Sequence, residues 1–266
     1  MKARLRGIRL GFDDRGRGET LVLLHAFPLD RRMWEDTARD LAHAARVITL
    51  DFRGLGESEG MATIDEAADD VAALLDHLHL ERAIVGGLSM GGYVALAFAE
   101  RHAGRLLGLL LASTRAGADT AESKQARDEA IGRVARNGID EYVEELVPRL
   151  LAGGNAKARG LALALAHFQQ PVGVASALSS LRDRPDRTAL LPLLRVPVTI
   201  VVGTEDRVTP PAEARAMAQA IEGAELVEIP GAGHLVNLEA PEAFSKAVRG
   251  LCDRVSGRVP ERVSTR

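Results

Sequence analysis

Short apolar runs along the chain alternate with longer segments in which apolar residues recur every three or four positions. Four of these runs, rich in aliphatic residues, cover 21–24, 47–50, 83–85 and 198–202. A strand that is apolar at nearly every position is typical of a parallel sheet buried on both faces. Strands of this kind separated by helical segments form βαβ units. The pattern therefore predicts an α/β fold with a mostly parallel central sheet and helices on both faces.

Weaker patterns complete the prediction of helices and strands. Strands are also predicted over 4–12, 106–111 and 225–229, and helices over 31–44 and 63–79. The first of these strands is expected to end in a turn at 13–18, a stretch of Asp, Arg and Gly. The second helix is expected to begin at Thr63, with Glu66 as its partner in a capping box.

Residues 114–194 depart from this alternation. The segment has helical composition throughout, and its four prolines divide it into three or four helices. We interpret it as a helical cap that is inserted after the sixth strand and lies on the sheet. The α/β core then comprises 1–113 and 195–255, and the polar residues 256–266 are expected to form a flexible tail.

Composition narrows the class of protein. With 266 residues, 46% of them hydrophobic, the chain is long enough for a sizeable core. The net charge of −3 does not favour nucleic-acid binding. No apolar stretch approaches the roughly 20 residues of a membrane span, and no signal peptide is evident. The single cysteine, Cys252, excludes an internal disulfide and favours a reducing compartment. We therefore expect a soluble, cytoplasmic protein, and the oligomeric state is not indicated.

The first indication of chemistry is a glycine-rich turn, Gly87-Leu88-Ser89-Met90-Gly91, that follows the predicted strand at 83–85 and precedes a segment of helical composition. This G-x-S-x-G sequence fits a nucleophile elbow, a sharp turn that raises the serine above the sheet edge. The glycines are needed because a Cβ at either flanking position would collide with the strand or the helix. The alternative is a glycine turn with an incidental serine. Ser89 is the candidate nucleophile.

A serine hydroxyl needs a base, commonly a histidine held by a carboxylate. His234 is the candidate base because it lies in a loop of small residues just after the last predicted strand. Asp206 is the candidate acid, with Glu205 as the second choice, because both follow the strand at 198–202. In a parallel sheet these loops share the carboxyl edge, where ligands bind. The alternative roles are structural: a helix cap for the histidine and solvated turn charges for the acids.

The oxyanion of a tetrahedral intermediate requires N–H donors that are already in place. The backbone N–H of Met90, the residue after the nucleophile, is one candidate. The second is the N–H of Phe27, in the loop after the strand at 21–24, where Pro28 restricts the backbone. This loop could also be only a turn that ends the strand.

Together these segments resemble the α/β-hydrolase superfamily over roughly 21–249. The matching segments are His25-Ala26-Phe27-Pro28, 51–58, 87–91, Asp206 and Gly233-His234. The resemblance implies that 114–194 is the family's helical cap, which roofs the pocket. Ala26 stands where the family usually has Gly, and it adds a methyl group beside the oxyanion loop. Within the superfamily, the motifs are similar to those of 3-oxoadipate enol-lactonases, small carboxylesterases and cofactor-free haloperoxidase-like enzymes.

The sequence therefore predicts a serine hydrolase that cleaves a small-molecule carboxylic ester or lactone through an acyl-enzyme on Ser89. The same triad could instead run perhydrolysis or the hydrolysis of a C–C bond. In a different class, the protein could be a ligand receptor that keeps the fold but turns over negligibly. No cofactor and no metal are expected, because neither a metal-binding cluster nor a dinucleotide fingerprint is visible. No nucleic-acid or membrane partner is expected either.

Overall fold

An eight-stranded sheet forms the centre of the computed structural model, which describes residues 1–257. The strands are β1 (Lys2–Leu5), β2 (Ile8–Gly16), β3 (Thr20–Leu24), β4 (Arg46–Leu50), β5 (Ala83–Leu88), β6 (Leu106–Ala112), β7 (Val198–Gly203) and β8 (Glu225–Ile229). Their order across the sheet is β1-β2-β4-β3-β5-β6-β7-β8. β2 pairs antiparallel with β1 and β4, and the remaining pairs are parallel. The predicted mostly parallel sheet is confirmed.

The prediction of a single first strand is wrong. The chain turns at Arg6 and Gly7, whose φ angles are 47° and 85°, and forms a hairpin of β1 and β2. The turn predicted at 13–18 is wrong as well, because β2 continues to Gly16. The polar residues at the end of β2 stay extended because the antiparallel partner β4 pairs with their backbone.

Helices cover both faces of this sheet. Within residues 1–257 the α-helices are α1 (Glu35–Leu41), α2 (Ile64–His77), α3 (Met90–Arg101), α4 (Ala121–Asn137), α5 (Asp140–Leu146), α6 (Ala156–His167), α7 (Pro171–Arg182), α8 (Pro211–Ala220), α9 (Val236–Glu239) and α10 (Pro241–Val255). The helix predicted over 31–44 is a 3-10 turn (Arg31–Trp34) followed by α1. The capping box of α2 is confirmed, with Glu66 N–H donating to Thr63 Oγ1 over 3.2 Å and Thr63 N–H donating to the Glu66 carboxylate over 2.8 Å.

Residues 114–194, which we call the helical insertion, contain α4 to α7 and no strand among the described residues. α7 lies directly against the loop after β4, since a Cβ on Gly173 would be 1.8 Å from the Gly54 carbonyl oxygen. The buried amide of Gln169 bonds to the same loop by accepting the Gly56 N–H over 2.7 Å. The insertion therefore docks on the carboxyl side of β4. Its role as a cap over a binding pocket stays a prediction.

The centre of the sheet explains the apolar runs. β3, β5 and β7 are buried at every position. α3 packs against β3, β5 and β6, and α10 packs against β6 and β7.

α10 ends at Val255. Of the predicted tail at 256–266, the residues from 258 onward lie outside the described part of the chain. Over residues 1–257 no single helix has the length and apolar character to cross a membrane, and only α6 and α7 together, bent by 103°, meet that criterion.

Candidate active site

Ser89 lies at the turn between β5 and α3. Its backbone has φ 56° and ψ −112°, a positive-φ conformation that residues with a Cβ rarely adopt. A Cβ on Gly87 would be 2.1 Å from the Gly91 carbonyl carbon, and one on Gly91 would be 2.1 Å from the Leu24 carbonyl oxygen. Both glycines of the G-x-S-x-G sequence are therefore required by the close approach of strand, turn and helix.

Hydrogen bonds hold this strained backbone in place. The Ser89 N–H donates to the Ala112 carbonyl over 2.9 Å, and the Ser89 carbonyl accepts the Gly92 N–H and the Thr114 hydroxyl, each over 2.9 Å. A conformation of this kind costs about 1–3 kcal/mol and persists only where the surroundings impose it. Because α3 begins at the next residue, its dipole favours negative charge close to the Ser89 side chain.

A buried carboxylate and imidazole lie beside each other at the same edge of the sheet. Asp206 follows β7 and His234 follows β8, and His234 Nδ1 is 2.9 Å from Oδ2 and 3.0 Å from Oδ1 of Asp206. The two residues are 3% and 2% exposed. Glu205, the second choice as the acid, is exposed, and within residues 1–257 its carboxylate does not bond to His234. The geometry favours Asp206 over Glu205.

The pKa of Asp206 reflects two opposed effects. Burial raises it, but the hydrogen bond and charge of His234, together with donors from Thr209, outweigh burial and leave the pKa below its usual value. The Thr209 N–H donates to Oδ1 over 2.9 Å and the Thr209 hydroxyl donates to Oδ2 over 2.8 Å. Asp206 is thus an ionised acceptor for the Nδ1 proton of His234. Sequence reasoning missed Thr209, although a Thr three residues after an acid is a recognisable turn signal.

The loop that carries His234 runs back across the carboxyl edge of the sheet. Asn237 donates to the Met33 carbonyl oxygen over 3.0 Å. Met33 lies in the segment after β3, and three strands, β5, β6 and β7, separate β3 from β8 in the sheet. The segment three residues after His234 therefore contacts the segment that follows β3. No hydrogen bond joins the Ser89 hydroxyl to His234 in the described part of the chain.

His25 organises the loop after β3. Its Nε2 accepts the Phe52 N–H over 3.0 Å, so the ring proton is on Nδ1, which donates to the Ala26 carbonyl over 3.0 Å. Burial lowers the pKa of His25, which keeps the ring neutral. The Ala26 carbonyl also accepts the Leu29 N–H over 2.9 Å. These bonds fix the peptide plane between Ala26 and Phe27, and with it the direction of the Phe27 N–H. The sequence alone does not indicate this role for His25.

The two predicted oxyanion donors differ in their surroundings. Neither the Phe27 N–H nor the Met90 N–H donates to another residue within 1–257. The Phe27 ring packs against Tyr142 of α5, with ring centroids 6.4 Å apart. Burial raises the pKa of Tyr142 to about 12. The helical insertion therefore reaches the loop that carries one of the predicted donors.

Among residues 1–257, no group of three or more His, Cys, Asp or Glu side chains is arranged to hold a metal ion. What the edge of the sheet does bring together is a strained serine, a carboxylate–imidazole pair and a loop whose peptide plane is held by His25. A serine, a base and N–H donors at one edge are the groups that acyl transfer requires.

Comparisons with known proteins agree with this fold. A model of the "Alpha/beta hydrolase family" matches residues 21–247, and the chain belongs to this family. A thermophilic esterase from Thermogutta terrifontis is 40% identical, with a TM-score of 0.92 over 96% of this chain and 98% of that one. The enol-lactonase from Burkholderia xenovorans LB400 is 29% identical, with a TM-score of 0.86 over 94% and 99% of the two chains. 3-Oxoadipate enol-lactonase 1 of Acinetobacter baylyi is 30% identical over 87% of each protein.

The family match and these relatives confirm the resemblance to the α/β-hydrolase superfamily and support a hydrolase. Esterase and enol-lactonase are the names of those relatives, not of this chain.

Proposed function

We propose that this protein is a serine hydrolase that cleaves a carboxylic ester or a lactone through an acyl-enzyme on Ser89. The observation that carries the proposal is the buried pair of Asp206 and His234, with 2.9 Å between Oδ2 and Nδ1, at the same sheet edge as the strained serine. A carboxylate on Nδ1 leaves Nε2 of the imidazole as the proton acceptor. A serine at a strand-to-helix turn is the matching nucleophile in this fold.

In the proposed reaction, His234 takes the proton of Ser89 while Oγ attacks the acyl carbon. The imidazolium then gives that proton to the leaving oxygen, and the acyl group stays on Ser89. Water, deprotonated by His234, attacks the acyl carbon. The bond from that carbon to Ser89 Oγ breaks, the imidazolium returns the proton to Oγ, and the acid is released. Asp206 stays ionised throughout, holds the tautomer with the proton on Nδ1, and stabilises the imidazolium.

The negative charge on the substrate oxygen would be held by the N–H groups of Phe27 and Met90. Two features favour this assignment. Both N–H groups lack an acceptor among residues 1–257, and the peptide plane of the first is held by the Nδ1–H of His25. Donors that are oriented before the reaction stabilise a transition state without further reorganisation.

The substrate class is proposed from the relatives. A solved structure at 40% identity is an esterase, and relatives at 29% and 30% identity are enol-lactonases. Esters and lactones share the acyl–oxygen bond that the mechanism cleaves. Perhydrolysis and C–C hydrolysis by the same residues, and a receptor with negligible turnover, are the outcomes that the experiment must separate.

The test is hydrolysis of short-chain p-nitrophenyl esters by the wild-type protein, Ser89→Ala and Asp206→Asn, with mass spectrometry after a fluorophosphonate probe. We expect the probe on Ser89, loss of turnover in Ser89→Ala, and a fall in kcat of about 10³–10⁴-fold in Asp206→Asn. Ser123→Ala, in the first turn of α4, is the matched control and should keep wild-type turnover.

If the wild-type protein neither hydrolyses esters or lactones nor takes the probe, the hydrolase proposal fails and the receptor becomes the better hypothesis. Labelling of Ser89 without ester or lactone turnover would instead favour another reaction of the same nucleophile, which product analysis with hydrogen peroxide or a β-diketone would identify.

We also propose a cytoplasmic location, because a chain with one cysteine has no need of an oxidising compartment. Cell fractionation with an antibody or a tag tests it, and recovery in the membrane or secreted fraction would contradict it.

A further inference from the structure

The carboxylate of Glu239, the last residue of α9, joins two separate parts of the chain. Its Oε1 accepts the Gly233 N–H over 2.9 Å, and its Oε2 accepts the Ala152 N–H over 2.8 Å. Gly233 precedes His234, whereas Ala152 belongs to the helical insertion, 87 residues before Glu239. Each oxygen of one side chain therefore bonds a different segment.

A second hydrogen bond links the same two segments, at the residue that follows His234 in the chain. The Leu235 N–H donates to the Leu150 carbonyl over 3.0 Å. The contact is also close in space, since a Cβ on Gly233 would be 2.4 Å from the Ala152 nitrogen. Both neighbours of His234 in the chain are thus tied to residues 150–152 of the insertion.

The presence of Glu239 is not explained by a salt bridge to any residue that the structure describes. It is half-buried, and no salt bridge joins it to a residue within 1–257. Burial raises its pKa, and the bonds from Ala152 and Gly233 act in the opposite direction. A half-buried carboxylate costs free energy unless its oxygens are satisfied, and here both are satisfied by backbone N–H groups. The two carboxylate oxygens of Glu239 thus act as acceptors for the N–H groups of Gly233 and Ala152.

We propose that Glu239 is a positioning residue that sets the place of His234 by locking residues 233–235 to residues 150–152 of the helical insertion. The base and the insertion then move as one unit, so the docking of the insertion is coupled to the alignment of the imidazole. This inference rests on the proposed function in so far as His234 is the base. A clamp that only stabilised the fold would affect thermal stability and leave kcat of the folded protein unchanged.

Three variants separate these roles. Glu239→Ala removes both acceptors. Glu239→Gln keeps the shape but places an NH₂ against one of the two N–H donors. Ala152→Pro removes the donor from the insertion and places the ring Cδ against the Glu239 carboxylate. The preceding Leu151 is extended, with φ −125° and ψ 148°, as the residue before a proline prefers. Glu242→Gln, an exposed glutamate in the first turn of α10, is the matched control.

The measurements are kcat and KM for an ester at one fixed pH, and the Nδ1–H proton resonance of His234 by NMR. Each is made below the melting temperature of the variant. We expect kcat to fall about 10²-fold in Glu239→Ala and about tenfold in Glu239→Gln and Ala152→Pro, with KM within about threefold, because small misplacements of a reacting group carry effects of this size. The resonance should shift or broaden in all three variants and stay unchanged in Glu242→Gln.

Unchanged kcat and an unchanged resonance in Glu239→Gln and Ala152→Pro would overturn the proposal, whatever happens to the melting temperature. A rise in KM with wild-type kcat would also overturn it, because the insertion would then shape binding alone. Should Glu239→Ala fail to fold, the other two variants decide. If the wild-type protein has no hydrolase activity, the proposed function fails, and the resonance still tests the positioning of His234 by itself.

Discussion

A single buried amide ties the helical insertion to the loops of the α/β core. The Gln169 side chain accepts the Gly56 N–H over 2.7 Å and donates to Asp30 Oδ2 over 2.9 Å and to the Leu165 carbonyl over 2.8 Å. Gln169 is 3% exposed. Asp30 and Gly56 belong to the loops after β3 and β4, so the insertion is held against both.

We predict that Gln169→Ala lowers the free energy of unfolding by about 3 kcal/mol. A hydrogen bond to a charged group contributes about 1.5–3 kcal/mol net, and a neutral bond contributes about 1 kcal/mol. The variant loses the charged bond to Asp30 and leaves the N–H of Gly56 without its acceptor. Asp30 keeps its bonds to Arg32, which limits the loss.

The assay is urea unfolding followed by circular dichroism, with the slope compared among variants to check that the transition remains the same. Gln170→Ala is a matched control, because it is the same substitution at the next position. Gln170 is exposed and its side chain does not cap α7. We expect this control to change the free energy of unfolding by no more than about 0.5 kcal/mol.

Equal stability of the two variants would refute the reasoning, because it would mean that water replaces all the bonds of Gln169 without cost. A lower slope in Gln169→Ala alone would mean that the insertion detaches before the core unfolds. In that case the two-state free energy would not apply, and the bonds of Gln169 would hold the insertion rather than the whole fold.

Three further predictions concern the insertion. Gly173→Ala should destabilise the protein by about 1–3 kcal/mol, because its Cβ would be 1.8 Å from the Gly54 carbonyl oxygen. Gly160→Ala in α6, where nothing lies within 4 Å, should stabilise it by about 0.5–1 kcal/mol. In urea unfolding, equal signs for the two variants would contradict one of these predictions, and reversed signs would contradict both. The hydrogen bond to Glu144 raises the pKa of His167, burial opposes it, and a second acid on α5 supports it. The stabilising effect of protonated His167 is thus full below the unfolded pKa of about 6.5, and it is lost as pH rises through the folded pKa. The melting temperature of His167→Asn should fall further below wild type at pH 6 than at pH 9, and a pH-independent difference would count against this ion pairing.

Local patterns in the sequence determined the order of strands and helices and the elbow around Ser89. Burial on both faces of a parallel sheet leaves continuous apolar runs, which are legible without knowledge of neighbours. The glycines at 87 and 91 are legible for a similar reason, since a tight turn excludes side chains wherever it occurs. The capping box at Thr63 is local as well, because its two partners are three residues apart.

Only the tertiary structure decided the parts that depend on distant partners. The tautomer of His25 and the bonds of Gln169 and Glu239 left no pattern in the neighbouring residues. The hairpin at the start of the chain is an exception, because its turn at Arg6 and Gly7 joins residues that are close in sequence. Gln169 bonds a residue 113 positions away, and Glu239 bonds one 87 positions away. The partner of a polar side chain over such separations is set by how whole helices pack on the sheet. Backbone sterics and hydrophobic spacing act over a few residues, and they therefore specify the strands and the turn but not the contacts of the insertion.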